Sequence, residues 1–271
     1  GLVEPHVGWT WNDMADLAQK LTKRGVDGKV DVYGTYIDTW PLMLYNFIYG
    51  AGGQLFDDES TIFPGKAVYN GPKAVEGLQF YTDLATKMDV AAPPNIGGRY
   101  PFGKGKLGFL HTGDHVLSDK NFMGGINYGA TIAPIGPNGK QFVAQAGGTG
   151  YGLAAGSKHP ELAWELMQAL MSEPVLKSIG ETDSAIITRL SVQRELSPDL
   201  WANKLWREGG AYFRPVPVVG FNDVLAAPLG KAMQDVTVKH VPLVQALDTA
   251  VQASNVALAD WKQKIAQAAA Q

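Results

Sequence analysis

Residues 146–170 read AGGTGYGLAAGSKHPELAWELMQAL and decide the class of fold. Gly147 and Gly148 open an apolar segment in which the missing Cβ atoms let the backbone approach a neighbouring strand or a ligand closely. Pro160 then suits the first turn of a helix, where its missing N–H costs nothing. The apolar residues of that helix repeat at three- and four-residue spacing, which predicts one buried face; they are Leu162, Ala163, Leu166, Met167 and Leu170. A glycine-opened strand followed by an amphipathic helix predicts an α/β unit whose ligand-facing end lies at the glycines.

Composition sets the outer limits for the other 246 or so residues. The chain has 271 residues, 45% of them hydrophobic and 18% charged, which is typical of a globular protein with a substantial core. A formal net charge of −3 without basic blocks argues against nucleic acid as a partner. Cysteine is absent, which excludes disulfides and a thiolate metal site and suits both the cytosol and the periplasm. No apolar run reaches the length of a membrane span.

Predicted strands and helices alternate along the chain, which favours α/β layering. Thr10 and Asp13 have the spacing of a capping box at the start of a helix. Pro41 suits the first turn of a second helix, which has few polar positions and is therefore expected to be deeply packed. Short strands are predicted at residues 29–36, 107–111 and 128–133, and a long closing helix at 244–261.

Two clusters of polar residues carry candidate chemistry. His111, Asp114 and His115 fall in a predicted strand-to-helix turn, where His and Asp side chains can gather around a metal ion. The alternative is a turn that contacts a ligand or is purely structural, and the absence of a further upstream His favours it. Residues 57–59, Asp-Asp-Glu, lack the spaced oxygens of a calcium loop and are predicted to be a solvated tip.

Aromatic residues at the ends of elements give a stronger indication of a binding site. Tyr36, Trp40, Tyr151 and Phe221 each lie beside Gly, Asp or Pro, whereas aromatics within helices, such as Trp164, are expected in the core. An aromatic face next to a carboxylate suits sugars and polyols, which stack one face and donate hydrogen bonds from their hydroxyls. For Trp40, contact with a ligand and simple packing at the helix start both remain open.

Seven stretches in a fixed order resemble one family. They are TWNDM (10–14), GAGGQLFD (50–57), YNGPKAVE (69–76), FGKGKLGF (102–109), the segment 128–134, the segment 147–154 and PELAWE (160–165). In these stretches the chain resembles the extracellular solute-binding proteins of bacterial ABC importers, in the group that includes maltose-, trehalose- and glycerol-3-phosphate-binding proteins. The resemblance covers nearly the whole chain.

The resemblance implies an α/β, periplasmic-binding-protein-like fold of type II, in which two lobes close over a solute. Residues 1–146 would form most of the second lobe, residues 147–183 would cross into the first lobe, and residues 184–271 would return to the second. Most of the first lobe has no counterpart, so a truncated chain is expected, with an exposed apolar face on the helix that begins at Pro160.

The resemblance also implies which residues contact the solute. Tyr36, Asp38 and Trp40 match a stretch that lines the cleft in the family, and Arg214 matches an arginine that touches ligand in several members. Asp114 and His115 replace part of a motif whose Trp stacks on sugar, so stacking at that point is in doubt. Three further positions match family ligand-contact segments: the turn Gly147, Gly148 and Thr149, and Asp183.

Two functions follow from these residues. The favoured one is a non-catalytic solute-binding protein, periplasmic or lipid-anchored outside the cell, that delivers a monosaccharide, polyol or short oligosaccharide to an ABC permease without cofactor or metal. Arg214 leaves a phosphorylated polyol open as well, because a guanidinium can bind phosphate, and the alternative role for Arg214 is pairing with a surface carboxylate. The rival function is a metal-dependent hydrolase that uses His111, Asp114 and His115.

Overall fold

A computed structural model describes residues 2–94, 101–113, 116, 119, 123–145, 150–182, 185–215 and 220–269. The α-helices in this part of the chain are α1 (Trp11–Leu21), α2 (Pro41–Gly50), α3 (Pro72–Thr86), α4 (Pro160–Leu170), α5 (Glu173–Glu181), α6 (Leu190–Gln193), α7 (Trp201–Gly209), α8 (Ala227–Thr237) and α9 (Leu243–Ala269). A 3₁₀ turn (Gly210–Tyr212) follows α7, and a π-helix (Phe221–Ala226) precedes α8. The strands are β1 (Lys23–Arg24), β2 (Val30–Val32), β3 (Thr35–Tyr36), β4 (Ala91–Ala92), β5 (Val143–Gln145) and β6 (Phe213–Pro215).

The strands pair two by two. β1 and β2 are antiparallel, whereas β3 pairs with β4 and β5 pairs with β6 in parallel. The strand predicted at 29–36 is interrupted at Gly34, where a side chain would collide with the backbone of Ala18. The strand predicted at 107–111 is reduced to one bridge between Leu107 and Tyr33, and residues 128–133 contain no strand. Alternation of apolar residues identified extended backbone there but not a hydrogen-bonded partner.

The start of α1 confirms the predicted capping box. Thr10 Oγ1 accepts a hydrogen bond from the Asp13 backbone N–H at 3.2 Å, and the Thr10 backbone N–H donates to Asp13 Oδ2 at 2.8 Å. Both bonds satisfy N–H groups that have no partner within the helix. The Thr10 hydrogen bonds also lower the pKa of the Asp13 carboxyl.

We expect Thr10→Ala to reduce the free energy of unfolding by about 1 kcal/mol, because it removes the acceptor for the first turn of α1. Urea denaturation measures the change. Thr249→Ala is the matched control, since Thr249 lies within α9, where its hydroxyl only donates to the Gln245 carbonyl. That control should be neutral or slightly stabilising, because Ala has the higher helix propensity. Equal losses in the two variants would contradict the capping role.

The main core joins the first and last parts of the chain. Its buried residues come from two ranges, 9–142 and 224–258. α2 is buried along almost its whole length, as its composition predicted, and packs on α3. α9 packs on α8, on the π-helix and on α3, and the Tyr69 hydroxyl lies 2.7 Å from Ser254 Oγ of α9. The closing helix therefore packs on the part of the chain before residue 146, while the division into three segments stays a prediction.

α4 differs from the prediction made from its sequence pattern. The helix begins at Pro160 as expected, but none of its residues is buried. Leu162 is 62% exposed, Leu166 is 59% exposed, and Trp164, expected in the core, is 55% exposed. Spacing identified which face is apolar, yet burial also needs a neighbouring element, and none covers this face in the described structure. The exposed apolar face expected from the resemblance is observed.

Candidate functional site

An exposed aromatic pair stands at the amino end of α2. Trp40 is the residue before the helix, and Pro41 occupies its first turn. The Trp40 ring is 44% exposed and contacts Phe221, with ring centroids 5.5 Å apart and planes inclined by 59°. Phe221 is the first residue of the π-helix and follows Gly220, whose φ of +47° is in the left-handed region. π-helical turns are frequent at functional sites, and two adjoining aromatic rings offer a surface on which a sugar ring can stack.

Asp38 holds the backbone beneath this pair. One of its carboxylate oxygens, Oδ1, accepts a hydrogen bond from the Trp40 N–H at 2.8 Å. The Asp38 N–H in turn donates to the Tyr81 hydroxyl at 2.7 Å, and Asp38 is buried. This carboxylate therefore orients Trp40, a role that the sequence pattern did not suggest. Tyr36, expected in the cleft wall, is only 8% exposed and packs in a small cluster with Ala92 and Leu107.

Arg214 is engaged at the opposite end of α2. Its Nη2 lies 2.6 Å from Glu59 Oε2, and its guanidinium carbon lies 4.2 Å from the centre of the Tyr49 ring. The ring of Phe142 is 5.8 Å away on the same guanidinium. Arg214 therefore pairs with a carboxylate, which was the alternative role left open by the sequence. We call the Arg214, Glu59 and Tyr49 arrangement the clamp.

Glu59 is the centre of the clamp. Its side chain is only 9% exposed. Its Oε1 accepts from the Tyr49 hydroxyl at 3.0 Å, from the Leu55 N–H at 2.6 Å and from the Phe56 N–H at 3.4 Å. These donors compensate the cost of burying a carboxylate. Burial raises the pKa of the Tyr49 phenol, and the Glu59 carboxylate raises it further. Placing Glu59 in a solvated tip was wrong, because its partners are set by long-range packing.

The aromatic pair and the clamp do not form one small site. Trp40 and Tyr49 are separated by nine residues of helix, or about 14 Å along its axis at 1.5 Å per residue. A monosaccharide is too short to touch both Trp40 and Arg214. The structure therefore keeps apart the two residues that the sequence put together as solute anchors.

A cavity of about 450 Å³ lies apart from both places. Its wall is largely aromatic and apolar, with Trp9, Phe109, Tyr128 and Trp201 among its residues. It includes Thr112 and Gly113, the two residues before Asp114, but none of Tyr36, Asp38, Trp40 or Arg214. The remaining residues expected at the site lie outside the described part of the chain; they are Asp114, His115, Gly147, Gly148, Thr149 and Asp183.

The comparison with known families decides the class of protein. Residues 2–177 match the family model for bacterial extracellular solute-binding proteins. The chain belongs to this family. Its members are substrate-binding proteins and are non-catalytic, so the expectation that this solute-binding protein is not an enzyme is confirmed. No curated protein sequence matches the chain.

Solved structures confirm the periplasmic-binding-protein-like fold of type II. The maltose/maltodextrin-binding domain of Bdellovibrio bacteriovorus bound to maltotriose has a TM-score of 0.76 and 20% identity, covering 97% of this chain and 67% of that one. An ABC substrate-binding protein of Listeria monocytogenes in complex with cycloalternan has a TM-score of 0.75 and 18% identity, covering 97% and 66%. A Thermotoga lettingae solute-binding protein bound with α-D-tagatose has a TM-score of 0.71 and 21% identity, covering 93% and 65%. This solute-binding protein thus spans about two thirds of the length of these structures, which fits the expected truncated chain.

The rival metal-dependent hydrolase has no support in this family or in the geometry. His111 Nε2 lies 2.9 Å from Asn46 Nδ2, and the imidazole packs edge-on against Phe47, with ring centroids 5.2 Å apart. Burial lowers the pKa of His111 to about 4. Within the described ranges, no three His, Cys, Asp or Glu side chains come close enough to hold a metal ion. His111 is a packed, neutral residue, and the hydrolase interpretation is not retained.

The membrane-spanning potential of the helices was also tested. Among the residues that the structure describes, no helix combines the length and apolar character needed to cross a bilayer.

Proposed function

We propose that this chain is the solute-binding component of an ABC importer and captures a sugar, polyol or short oligosaccharide. The observation that carries the proposal is the exposed pair of Trp40 and Phe221 at the amino end of α2. Exposed aromatic rings are costly unless they serve an interaction, and sugar rings present apolar C–H faces that pack on them. The three structural neighbours carry maltotriose, cycloalternan and tagatose, all of them carbohydrates, which supports the same class of solute here.

The proposed site has a defined division of labour. Trp40 and Phe221 stack on the solute, and Asp38 fixes the Trp40 backbone beneath them. Asp114, His115 and the residues Gly147, Gly148, Thr149 and Asp183 remain proposed contacts through the family resemblance. Tyr36 would become a contact only if its ring turned out of the cluster with Leu107.

The proposed setting follows from the family. Residues 1–146 and 184–271 would make one lobe and residues 147–183 the crossing to the other, so that the solute is bound as the lobes close. The protein would work in the periplasm or lipid-anchored outside the cell, and would deliver its solute to a membrane permease.

A thermal-shift panel tests the solute class. The panel contains maltotriose, maltose, tagatose, glycerol and glycerol 3-phosphate, each at millimolar concentration with the 271-residue chain. A solute that binds only the folded state raises the melting temperature, so we expect at least one neutral saccharide to do so in proportion to its concentration. Stabilisation by glycerol 3-phosphate alone would replace the neutral-sugar class with a phosphorylated polyol, and no shift with any member would contradict the proposed function.

A further inference from the structure

The aromatic pair and the clamp are two contacts of one closed frame. α2 runs from Trp40 at one end to Tyr49 at the other. Glu59 and Tyr49 hold Arg214 of β6, and Phe221 follows seven residues after Arg214 in the sequence. The contact between Phe221 and Trp40 closes the frame. The two chain segments that carry the aromatic rings are therefore joined at both ends of α2.

The clamp has a construction that suits a fixed attachment point. Glu59 is buried and receives three hydrogen bonds besides its ion pair. The guanidinium lies flat enough over Tyr49 to make a cation–π contact at 4.2 Å. A planar guanidinium that is both stacked and paired loses its freedom to swing. In contrast, β6 is otherwise held by only three register pairs with β5.

The π-helix is anchored differently on its two sides. Val224 and Leu225 bury its body in the core. Its first residue, Phe221, enters through Gly220, a residue without a side chain to restrict it. The direction in which the chain arrives at Phe221 therefore depends on where β6 is held.

We propose that Glu59 and Arg214 are positioning residues, which hold β6 on the carboxyl end of α2 and thereby keep Phe221 against Trp40. This inference rests on the proposed function for the role of the aromatic pair in binding solute. It replaces direct contact between Arg214 and the solute with an action through Phe221. The positioning residues need no contact with solute, which agrees with their distance from Trp40 along α2.

The test measures the coupling between Trp40 and Phe221 without any solute. Urea unfolding of Trp40→Ala, Phe221→Ala and the double variant gives the coupling as a factor in the unfolding equilibrium constant. We expect about fivefold coupling in the wild-type background, a typical strength for an aromatic pair. The factor should fall below about twofold when the same cycle is repeated in Glu59→Gln or in Arg214→Met. An unchanged factor would show that the core alone holds Phe221 and would overturn the proposal.

Two variants and one control keep the result specific. If Glu59→Gln fails to fold, Arg214→Met still tests the clamp, since it leaves Glu59 with its Tyr49 and Leu55 donors. Glu173→Gln is the matched control, because Glu173 forms an exposed ion pair with Arg189 at 3.2 Å. The Trp40–Phe221 coupling should be retained in that background, and a loss there would mean that removing any carboxylate suffices, which overturns the proposal.

A binding measurement separates positioning from direct contact. With the saccharide that stabilises the wild type most, Arg214→Met should weaken affinity about tenfold in the wild-type background and less than twofold in the Phe221→Ala background. An equal loss in both backgrounds would assign Arg214 to direct contact and overturn the positioning role. If no saccharide of the panel binds, the proposed function fails, whereas the coupling measurement still decides the clamp.

Discussion

Trp40→Ala is expected to weaken binding of the stabilising saccharide about thirtyfold, which corresponds to about 2 kcal/mol. The Trp40 ring is 44% exposed, so it contributes less packing to the free protein than a core residue would. The free energy of unfolding should therefore fall by less than about 1 kcal/mol. Calorimetric titration measures the affinity and urea denaturation measures the stability.

Matched variants define what the loss means. Trp40→Phe keeps an aromatic face against Phe221 and should lose only about threefold in affinity. Trp164→Ala removes an equally large ring that is 55% exposed on α4, and its affinity should equal that of the wild type. A thirtyfold loss in Trp164→Ala with full affinity in Trp40→Ala would move the solute site away from α2.

Lowering the pH from 7 to 4 is expected to remove about 3 kcal/mol of stability through His111 alone. Burial lowers the pKa of His111 in the folded protein to about 4, whereas the unfolded chain has the ordinary value of about 6.5. Between these values the unfolded state binds a proton that the folded state does not, so stability falls as the pH falls. Two and a half pKa units at 1.36 kcal/mol each give the magnitude, and below about pH 4 this contribution no longer changes.

His111→Gln tests that assignment. Glutamine keeps a hydrogen-bonding group beside Asn46 but does not titrate, so urea denaturation from pH 7 to pH 4 should show about 3 kcal/mol less pH dependence than the wild type. His240→Gln is the control, because His240 is exposed in the turn before α9. Equal slopes in wild type and His111→Gln would show that the imidazole is not kept neutral by burial.

Local signals in the sequence predicted the elements that local chemistry determines. The capping box at Thr10, the start of α2 at Pro41 and the long closing helix depend on residues within a few positions of each other, and all three are observed. Family membership also emerged from the order of short motifs, none of which was decisive alone.

Long-range features escaped the sequence for a physical reason. Glu59 and Arg214 are 155 positions apart, and no local pattern distinguishes a carboxylate that will be buried from one in solvent. The periodicity of α4 gave the apolar face correctly but could not supply a neighbour to cover it. Trp40 was identified as an element-end aromatic, while its contact with Phe221, 181 residues later, required the fold.

Fluorine NMR of the chain labelled with 5-fluorotryptophan tests the central claim most directly. The seven tryptophans give separate resonances, and Trp40→Phe assigns the one from Trp40. Titration with the stabilising saccharide should shift the Trp40 resonance along a saturating curve whose midpoint matches the calorimetric affinity, and should leave the Trp164 resonance unmoved. A saturating titration that shifts other tryptophan resonances and leaves that of Trp40 in place would contradict a sugar site at the amino end of α2.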